Sequence, residues 1–555
     1  MSCTCSGRPP SISWSEAATD TTIGFVGDDH AVTSPQTGVT PLTVPALLAD
    51  RVRASGQDTY VITPDGRLTY AQADVRSADI ARRLLAAGVG KGSRVGLFFP
   101  NGLDWISWWL ALSRIGALVV PLSTLYTPAE IAKVLRLADI GTLIAPSHVL
   151  GTDVGGRFES ALPGLREQDR DALSLTTAPY LRRIVLTEGT GYHWATRWDD
   201  LTQRVSPQVL AAVQDEVSPA DLAIMVHTSG STADPKGVLH THGTLVRQTS
   251  TWPVAIRAVT GTQNRPRILC AMPFFWIGGL LAAMGALHDT ITLLVMARLD
   301  PGTALDLVES ERATGIIGWP AFTQRVRDHP GFADRDLSSA PMLRDGPLDI
   351  AMTDVPDGFP VHRTMSETAG GFVHTDLAIV DDDGRPVPDG TIGELWIRGI
   401  GVMTGYNKRE RAEVFDADGW YHTGDRVYRR TGDPRLFYVG RTTDLIKAGG
   451  ANVSPLEVEA VISALPGIAQ CVVLGLPHPQ RGEEVCAVVV PAVTDLDLDG
   501  IRQLAREQLS AYKVPTRWVI VTADQIPTLP SGKFDRKGLL ANVIDGVLPI
   551  SPAAP

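Results

Sequence analysis

His227-Thr228-Ser229-Gly230-Ser231-Thr232-Ala233-Asp234-Pro235-Lys236-Gly237 is the stretch from which the rest of the chain is read. An apolar run, Leu222-Ala223-Ile224-Met225-Val226, precedes it and has the character of a buried strand. Small hydroxyl residues and glycines then leave backbone N–H groups open to a close-lying anion, and Lys236 adds a positive charge. This is phosphate-loop chemistry. Pro235 before the lysine and Gly237 after it separate the stretch from the helix-opening GxxxxGK(S/T) loop. Val-Leu-His-Thr-His follows, so the chain is expected to turn back into a second strand. On this stretch alone, a polar hairpin that binds nothing is the competing reading.

Composition sets the bounds. The chain has 555 residues, room for more than one domain at roughly 100–200 residues each. Apolar residues make up 44% and charged residues 20%, the balance of a globular protein with a sizeable core. A formal net charge of -11 argues against a general nucleic-acid binder, while leaving room for a local basic site that takes an anionic substrate. Five cysteines and no signal-peptide pattern point to a reducing, cytoplasmic setting. Cys3 and Cys5 lack partner ligands nearby and read as part of a flexible tail. Ile268 to Leu287 carries no charged side chain and is long enough to span a bilayer, but Pro273, Gly278, Gly279 and Gly285 favour a buried strand, loop and helix. No transmembrane segment is expected, and oligomeric state is left open.

Along the chain, residues 1–41 read as a flexible N-terminal arm. A helix from Val44, a hairpin around Pro64-Asp65-Gly66 and a helix from Ala71 to Gly88 follow. Strands at Val95–Phe99, Leu118–Pro121 and Leu143–Pro146 then alternate with helices at Trp105–Ile115 and Pro128–Leu137. That alternation predicts an α/β fold: a large multi-layer N-terminal domain with mostly parallel sheets. From Ser454 the pattern changes to a smaller α+β unit. It has helices at Pro455–Ala464 and Asp499–Leu509, and strands at Cys471–Leu474, Cys486–Val490 and Trp518–Val521. The expected boundaries are 42–440 for the large domain, 441–548 for a small mobile C-terminal domain, and 549–555 for a tail.

Further motifs stand at intervals. Ala271-Met272-Pro273-Phe274-Phe275-Trp276-Ile277-Gly278-Gly279-Leu280 and Thr314-Gly315-Ile316-Ile317-Gly318-Trp319-Pro320 suit the wall of an apolar pocket, or plain core. Arg363-Thr364-Met365-Ser366-Glu367-Thr368 and Asp418-Gly419-Trp420-Tyr421-His422-Thr423-Gly424-Asp425 come next. They are followed by Gly440-Arg441-Thr442-Thr443-Asp444-Leu445-Ile446-Lys447-Ala448-Gly449-Gly450 and Ile526-Pro527-Thr528-Leu529-Pro530-Ser531-Gly532-Lys533. Singly, a Ser-Glu pair, a Gly-Asp turn and a lone lysine are ordinary surface features.

Together and in this order they resemble the acyl-adenylating superfamily, the ANL fold of acyl-CoA synthetases and other AMP-dependent synthetase-ligases. The likeness covers roughly residues 42–545. Thr228–Gly237 matches the pattern TSG(S/T)TGxPKG except at Ala233, and Asp418–Asp425 matches DGWxxTGD. The resemblance implies ATP, Mg²⁺ and CoA as reactants and cofactors. It assigns ATP binding to Thr228, Ser229, Gly230, Ser231, Thr232, Lys236, Thr364, Ser366, Asp425, Arg441 and Lys533. Glu367 and Thr228 would hold the metal, and Lys533, Glu367 and Thr228 would be the catalytic set. Phe275, Trp276, Gly278, Gly279, Trp319 and Met365 would contact the acyl group. Lys447, Gly449 and Gly450 would meet CoA or another acceptor, and Thr443 would be the hinge. Arg363 and Thr364 depart from the family's aromatic-glycine pair; a guanidinium plane can take the place of an aromatic against adenine.

The implied activity is activation of a carboxylic acid, apolar or aromatic in class, to an acyl-adenylate, followed by transfer to CoA. Transfer to an amine or to a carrier-protein thiol is the alternative within this chemistry. A catalytically silent nucleotide-binding relative is the alternative outside it.

Overall fold

The computed structural model describes residues 41–189, 191–228, 235–262, 264–318, 320–345, 375–433, 436–441, 445–527 and 534–551. Ser229, Gly230, Ser231, Thr232, Trp319, Thr364, Met365, Ser366, Glu367, Thr443 and Lys533 lie outside the described residues, as do Arg363, Ala233 and the Cys3–Cys5 pair.

Two sheets carry the N-terminal part. In the larger, the strands Leu222–Thr228, Leu118–Pro121, Arg94–Leu97, Thr142–Ala145, Arg183–Leu186 and Thr196–Arg197 run side by side and parallel. Lys236–Thr241 and Gly405–Tyr406 extend it antiparallel beyond Leu222–Thr228. The second sheet pairs Gly315–Ile317, Arg267–Cys270, Thr292–Leu294 and Thr59–Thr63 in parallel, and Gly66–Thr69 closes it as the antiparallel arm of the expected hairpin. Parallel strands are covered on both faces, so the centres of these strands are apolar and the polar residues stand at their ends. Leu118–Pro121 is buried at every position. Leu103–Arg114 supplies much of the cover, with Trp105, Trp108 and Trp109 all in the core.

Helix ends follow the local sequence. Thr69 and Gln72 form a capping box for Tyr70–Ala86, and Gly88 takes a φ of +83° just past that helix's end, where Val89 donates to the Leu84 carbonyl. Thr127, Pro128 and Glu130 start Pro128–Leu137 in the same way. The apolar run at Ile268–Leu287 resolves into the short strand Arg267–Cys270 and the nine-residue helix Ile277–Gly285. Among the described residues no helix is long and apolar enough to cross a membrane.

An antiparallel sheet of Asp376–Val380, Gly393–Arg398, Tyr421–Arg429 and Leu436–Arg441 leads to the C-terminal part. There Ile468–His478 and Gly482–Pro491 pair along almost their whole length, flanked by Ile446–Ala448, Ala451–Val453 and Arg517–Ile520. Pro455–Ser463 and Leu498–Gln508 pack on one face of this sheet. Arg536–Ile544, a helix the sequence pattern does not announce, packs on the other.

Candidate functional site

The opening stretch forms the hairpin it promised. Leu222–Thr228 turns back as Lys236–Thr241, and Thr228 and Lys236 are the last paired residues before the turn. The strand Gly405–Tyr406 pairs outside it, with Val238 opposite Tyr406. This register sets the Lys236 ammonium 5.2 Å from the centre of the Tyr406 ring. Partial burial, with the like charge of Arg409, lowers the lysine's pKa. The Tyr406 hydroxyl meets that of Tyr421 at 2.7 Å, which ties the hairpin to the next strand pair.

A cleft of about 920 Å³ opens beside this hairpin. Of the expected site residues, Thr228, Lys236, Trp276, Gly278 and Gly450 reach it. Its apolar side carries Met272, Trp276 and Ile277. Asn101 fixes that wall: its amide donates to the Met272 carbonyl at 2.9 Å and its oxygen accepts from the Phe274 N–H at 2.7 Å. Trp276 stands edge-on to Phe275, with centroids 5.4 Å apart. Phe275 itself is buried behind the wall, and Gly279 packs against the Pro273 carbonyl; neither lines the cleft.

Thr423, Gly424 and Asp425, where the pairing of the strand Tyr421–Arg429 shifts register, are held from below. Thr423 donates its hydroxyl to the Leu395 carbonyl at 2.6 Å, and Gly424, at φ +71°, donates its N–H to the Glu394 carboxylate at 2.9 Å. Thr423, Gly424 and Glu394 border the cleft, and Asp425 follows one residue beyond. Asp425 and Arg441 are directly opposite in the strand ladder, so the two expected nucleotide residues share one position in the fold. Beside them His422 stacks on Trp396 at 3.8 Å.

On the acceptor side, Gly449 and Gly450 adopt φ values of +60° and +92°, which favour glycine. Gly450 faces the cleft, whereas Lys447 lies outside it, with its backbone N–H donating to Glu483. His227 borders the cleft too. Burial depresses its pKa to about 4, which leaves a neutral imidazole, and its Nδ1 has no hydrogen-bond partner among the described residues. Among those residues, no group of three His, Cys, Asp or Glu gathers to hold a metal ion.

Several cleft residues had no motif to announce them: Tyr126, Glu394, Tyr512 and Lys513. Asn101, in a Pro-Asn-Gly loop, carried no signal beyond its turn character.

The profile of the AMP-binding enzymes matches residues 48–347 and 350–407, and that of the AMP-binding enzyme C-terminal domain matches residues 457–533. A feruloyl-CoA synthase from Amycolatopsis sp is 32% identical over 520 residues, covering 87% of this chain and 96% of that protein. A CoA ligase from Mycobacterium tuberculosis, named for a methylated dioxo-octahydroindenyl propanoate, is 32% identical over 529 residues, covering 90% of this chain and 98% of the relative. Among solved structures, a mutant form of the amide bond synthetase McbA from Marinactinospora thermotolerans superposes with a TM-score of 0.67 at 26% identity, over 89% of this chain and 98% of the other. A strand pair bearing Thr228 and Lys236, an aromatic wall and the strand residues before Asp425 thus meet on a chain that belongs to the AMP-binding enzyme family, with the ANL fold.

Proposed function

We propose that this chain activates a bulky apolar or aromatic carboxylic acid with ATP and passes the acyl group to the thiol of CoA. One observation carries this reading: the phosphate-type hairpin, the Met272–Trp276–Ile277 wall and Gly450 all open into one cleft. In the first half-reaction a carboxylate oxygen attacks the α-phosphorus of ATP and pyrophosphate leaves. The demand is for positioning and charge neutralisation rather than proton transfer. Thr228 and Lys236 would hold the departing phosphates, and Asp425, opposite Arg441, would accept hydrogen bonds from the ribose hydroxyls. Lys533 would meet the charge that develops around the reacting oxygens. Mg²⁺, resting on Glu367 and Thr228, would supply further neutralisation at the phosphates.

In the second half-reaction the thiol attacks the acyl carbon and AMP leaves. Gly449 and Gly450, which lack side chains, would let the thiol's slender arm pass close to the backbone. We divide the chain for this purpose into a large part, 42–440, and a small part, 441–548, hinged at Thr443. The arrangement with Gly450 in the cleft is assigned to acyl transfer. The names of the two relatives at 32% identity support a CoA acceptor and a bulky acid. The likeness to an amide bond synthetase keeps an amine acceptor as the second reading. Buried free thiols at Cys270, Cys471 and Cys486 suit the cytoplasm, where we place the protein.

The test is pyrophosphate release over benzoate, cinnamate, ferulate and decanoate, with and without CoA, for the wild type and Lys533→Ala. Acid-dependent release, a thioester product and a large loss in the variant are expected. Release that ignores CoA but yields amides on addition of amines would move the protein to the second reading. No release with any acid would remove the ligase reading.

A further inference from the structure

The loop that follows the Leu498–Gln508 helix crosses to the N-terminal end of the Pro128–Leu137 helix. Lys513, almost wholly buried there, places its ammonium 2.7 Å from one oxygen of Glu130 and 2.8 Å from a carboxylate oxygen of Glu457. The other Glu130 oxygen accepts the Ser510 hydroxyl at 2.5 Å and the Thr127 backbone N–H at 2.8 Å. The Thr127 hydroxyl also reaches the Gln508 carbonyl at 3.3 Å. Next to Lys513, Tyr512 meets Trp276 edge-on, with centroids 5.8 Å apart. Tyr512 and Gly450 border the same cleft. A contact made at Glu130 therefore ends, at the residue before Lys513, on the aromatic wall.

The cluster has one ammonium against two carboxylates, and Glu457 Oε2 has no partner among the described residues. Burying such a group adds little net stability, because the loss of hydration offsets the attraction. What it does supply is a geometry with a steep penalty for partial rupture. Burial alone would raise the Glu130 pKa, but Lys513 and the hydrogen bonds from Lys513 and Ser510 outweigh it and hold the carboxyl below its usual range. The group is thus ionised and paired at neutral pH.

We propose that Glu130 is a positioning residue for acyl transfer: through Lys513 and Ser510 it seats the 510–513 segment on the Pro128–Leu137 helix, with Tyr512 against Trp276 and Gly450 in the cleft. The inference rests on the ligase reading and gives that reading a residue that favours one half-reaction over the other. An interaction made in one arrangement and absent from another raises the population of the first. Weakening it must lower the step performed in that arrangement and leave the other step unharmed or faster.

The cleanest probe is Glu130→Gln. Glutamine at this position still completes a capping box with Thr127, so the helix start is kept while the charge is lost. Ser510→Ala removes the hydroxyl that donates to Glu130 while keeping every charge, and serves as a lighter variant should the first fold poorly. The two half-reactions are measured separately on the full chain: acid-dependent ATP–pyrophosphate exchange, and single-turnover transfer of preformed acyl-adenylate to CoA. The acid is whichever of benzoate, cinnamate, ferulate and decanoate the wild type uses best. Transfer is expected to fall about tenfold in Glu130→Gln, and less in Ser510→Ala, with exchange within about twofold of wild type. Equal losses in both steps would reduce Glu130 to a structural role, and an unchanged transfer rate would likewise overturn the proposal. Wild-type protein that exchanges no pyrophosphate with any acid overturns the ligase reading, a result distinct from a wild type that completes both steps and a variant that matches it.

Discussion

The Lys236 ammonium sits 5.2 Å from the centre of the Tyr406 ring, at the point where the strand Lys236–Thr241 meets the strand Gly405–Tyr406. The ring face holds the cation without neutralising it, so its full charge stays available to an anion in the cleft. Lys236→Gln should therefore lower kcat/KM for ATP in the adenylation step by about 10²-fold, the scale of losing one preorganised electrostatic group. Tyr406→Phe keeps the ring under the cation and removes the hydroxyl that meets Tyr421, so its effect on ATP should be far smaller. Pyrophosphate exchange at varied ATP measures both. Equal losses would mean that the Tyr406 hydroxyl, rather than the cation over the ring, governs the site.

Gly279 makes a prediction of the opposite kind, on stability. A Cβ at this position would stand 2.2 Å from the Pro273 carbonyl oxygen and 2.4 Å from its carbon, both backbone atoms with little freedom to move. The first turn of the Ile277–Gly285 helix closes over that carbonyl, and only glycine fits. Gly279→Ala should cost about 1–3 kcal/mol, or more if the turn cannot open. Denaturant unfolding monitors it. A variant as stable as wild type would show that this turn shifts easily, and the aromatic wall could not then be called rigid.

How much of this was legible in the sequence depends on how local each feature is. Leu118–Pro121 and Pro128–Leu137 fall on the residues expected of them, because an all-apolar strand and a Thr-Pro-x-Glu helix start are written in neighbouring positions. The hairpin at Thr228 and Lys236 was legible for the same reason. Arg536–Ile544 was not, since Arg536 falls on the same helix face as Leu539, Leu540, Val543 and Ile544 and masks their stripe, and Gly538 sits in its first turn. The Glu130–Lys513 pair joins residues 383 positions apart, and no spacing rule reaches that far. Phe275 and Gly279 look like pocket residues in sequence, but their neighbours take the cleft-facing places.

Trp276 is half-buried, lines the cleft and touches Phe275 and Tyr512, so it sets the width of the apolar side. Trp276→Leu should shift preference towards bulkier acids, changing the ratio of kcat/KM between ferulate and benzoate by about tenfold. Adenylation of the favoured acid should persist. A uniform drop for every acid would place Trp276 in the support of the fold rather than in selection.

His227, His240 and His242 are buried and His288 is half-buried, and desolvation pushes each pKa down to about 4. In the unfolded chain a histidine titrates near 6.5. Between pH 6.5 and 4 the unfolded state therefore binds protons that the folded state refuses. By linkage, stability rises with pH across this window and falls on acidification. Each group adds up to about 1.4 kcal/mol per pH unit to that slope, so acid should erode stability well before the carboxylates protonate. His240 is the residue to replace, because it lies on the Lys236–Thr241 strand and does not line the cleft. His240→Asn should flatten the slope of unfolding free energy against pH between 6.5 and 4 by roughly a quarter if the four act alike. Denaturant midpoints at several pH values measure this. An unchanged slope would mean that His240 takes up its proton in the folded state, which would require the strand to open to water at mildly acidic pH.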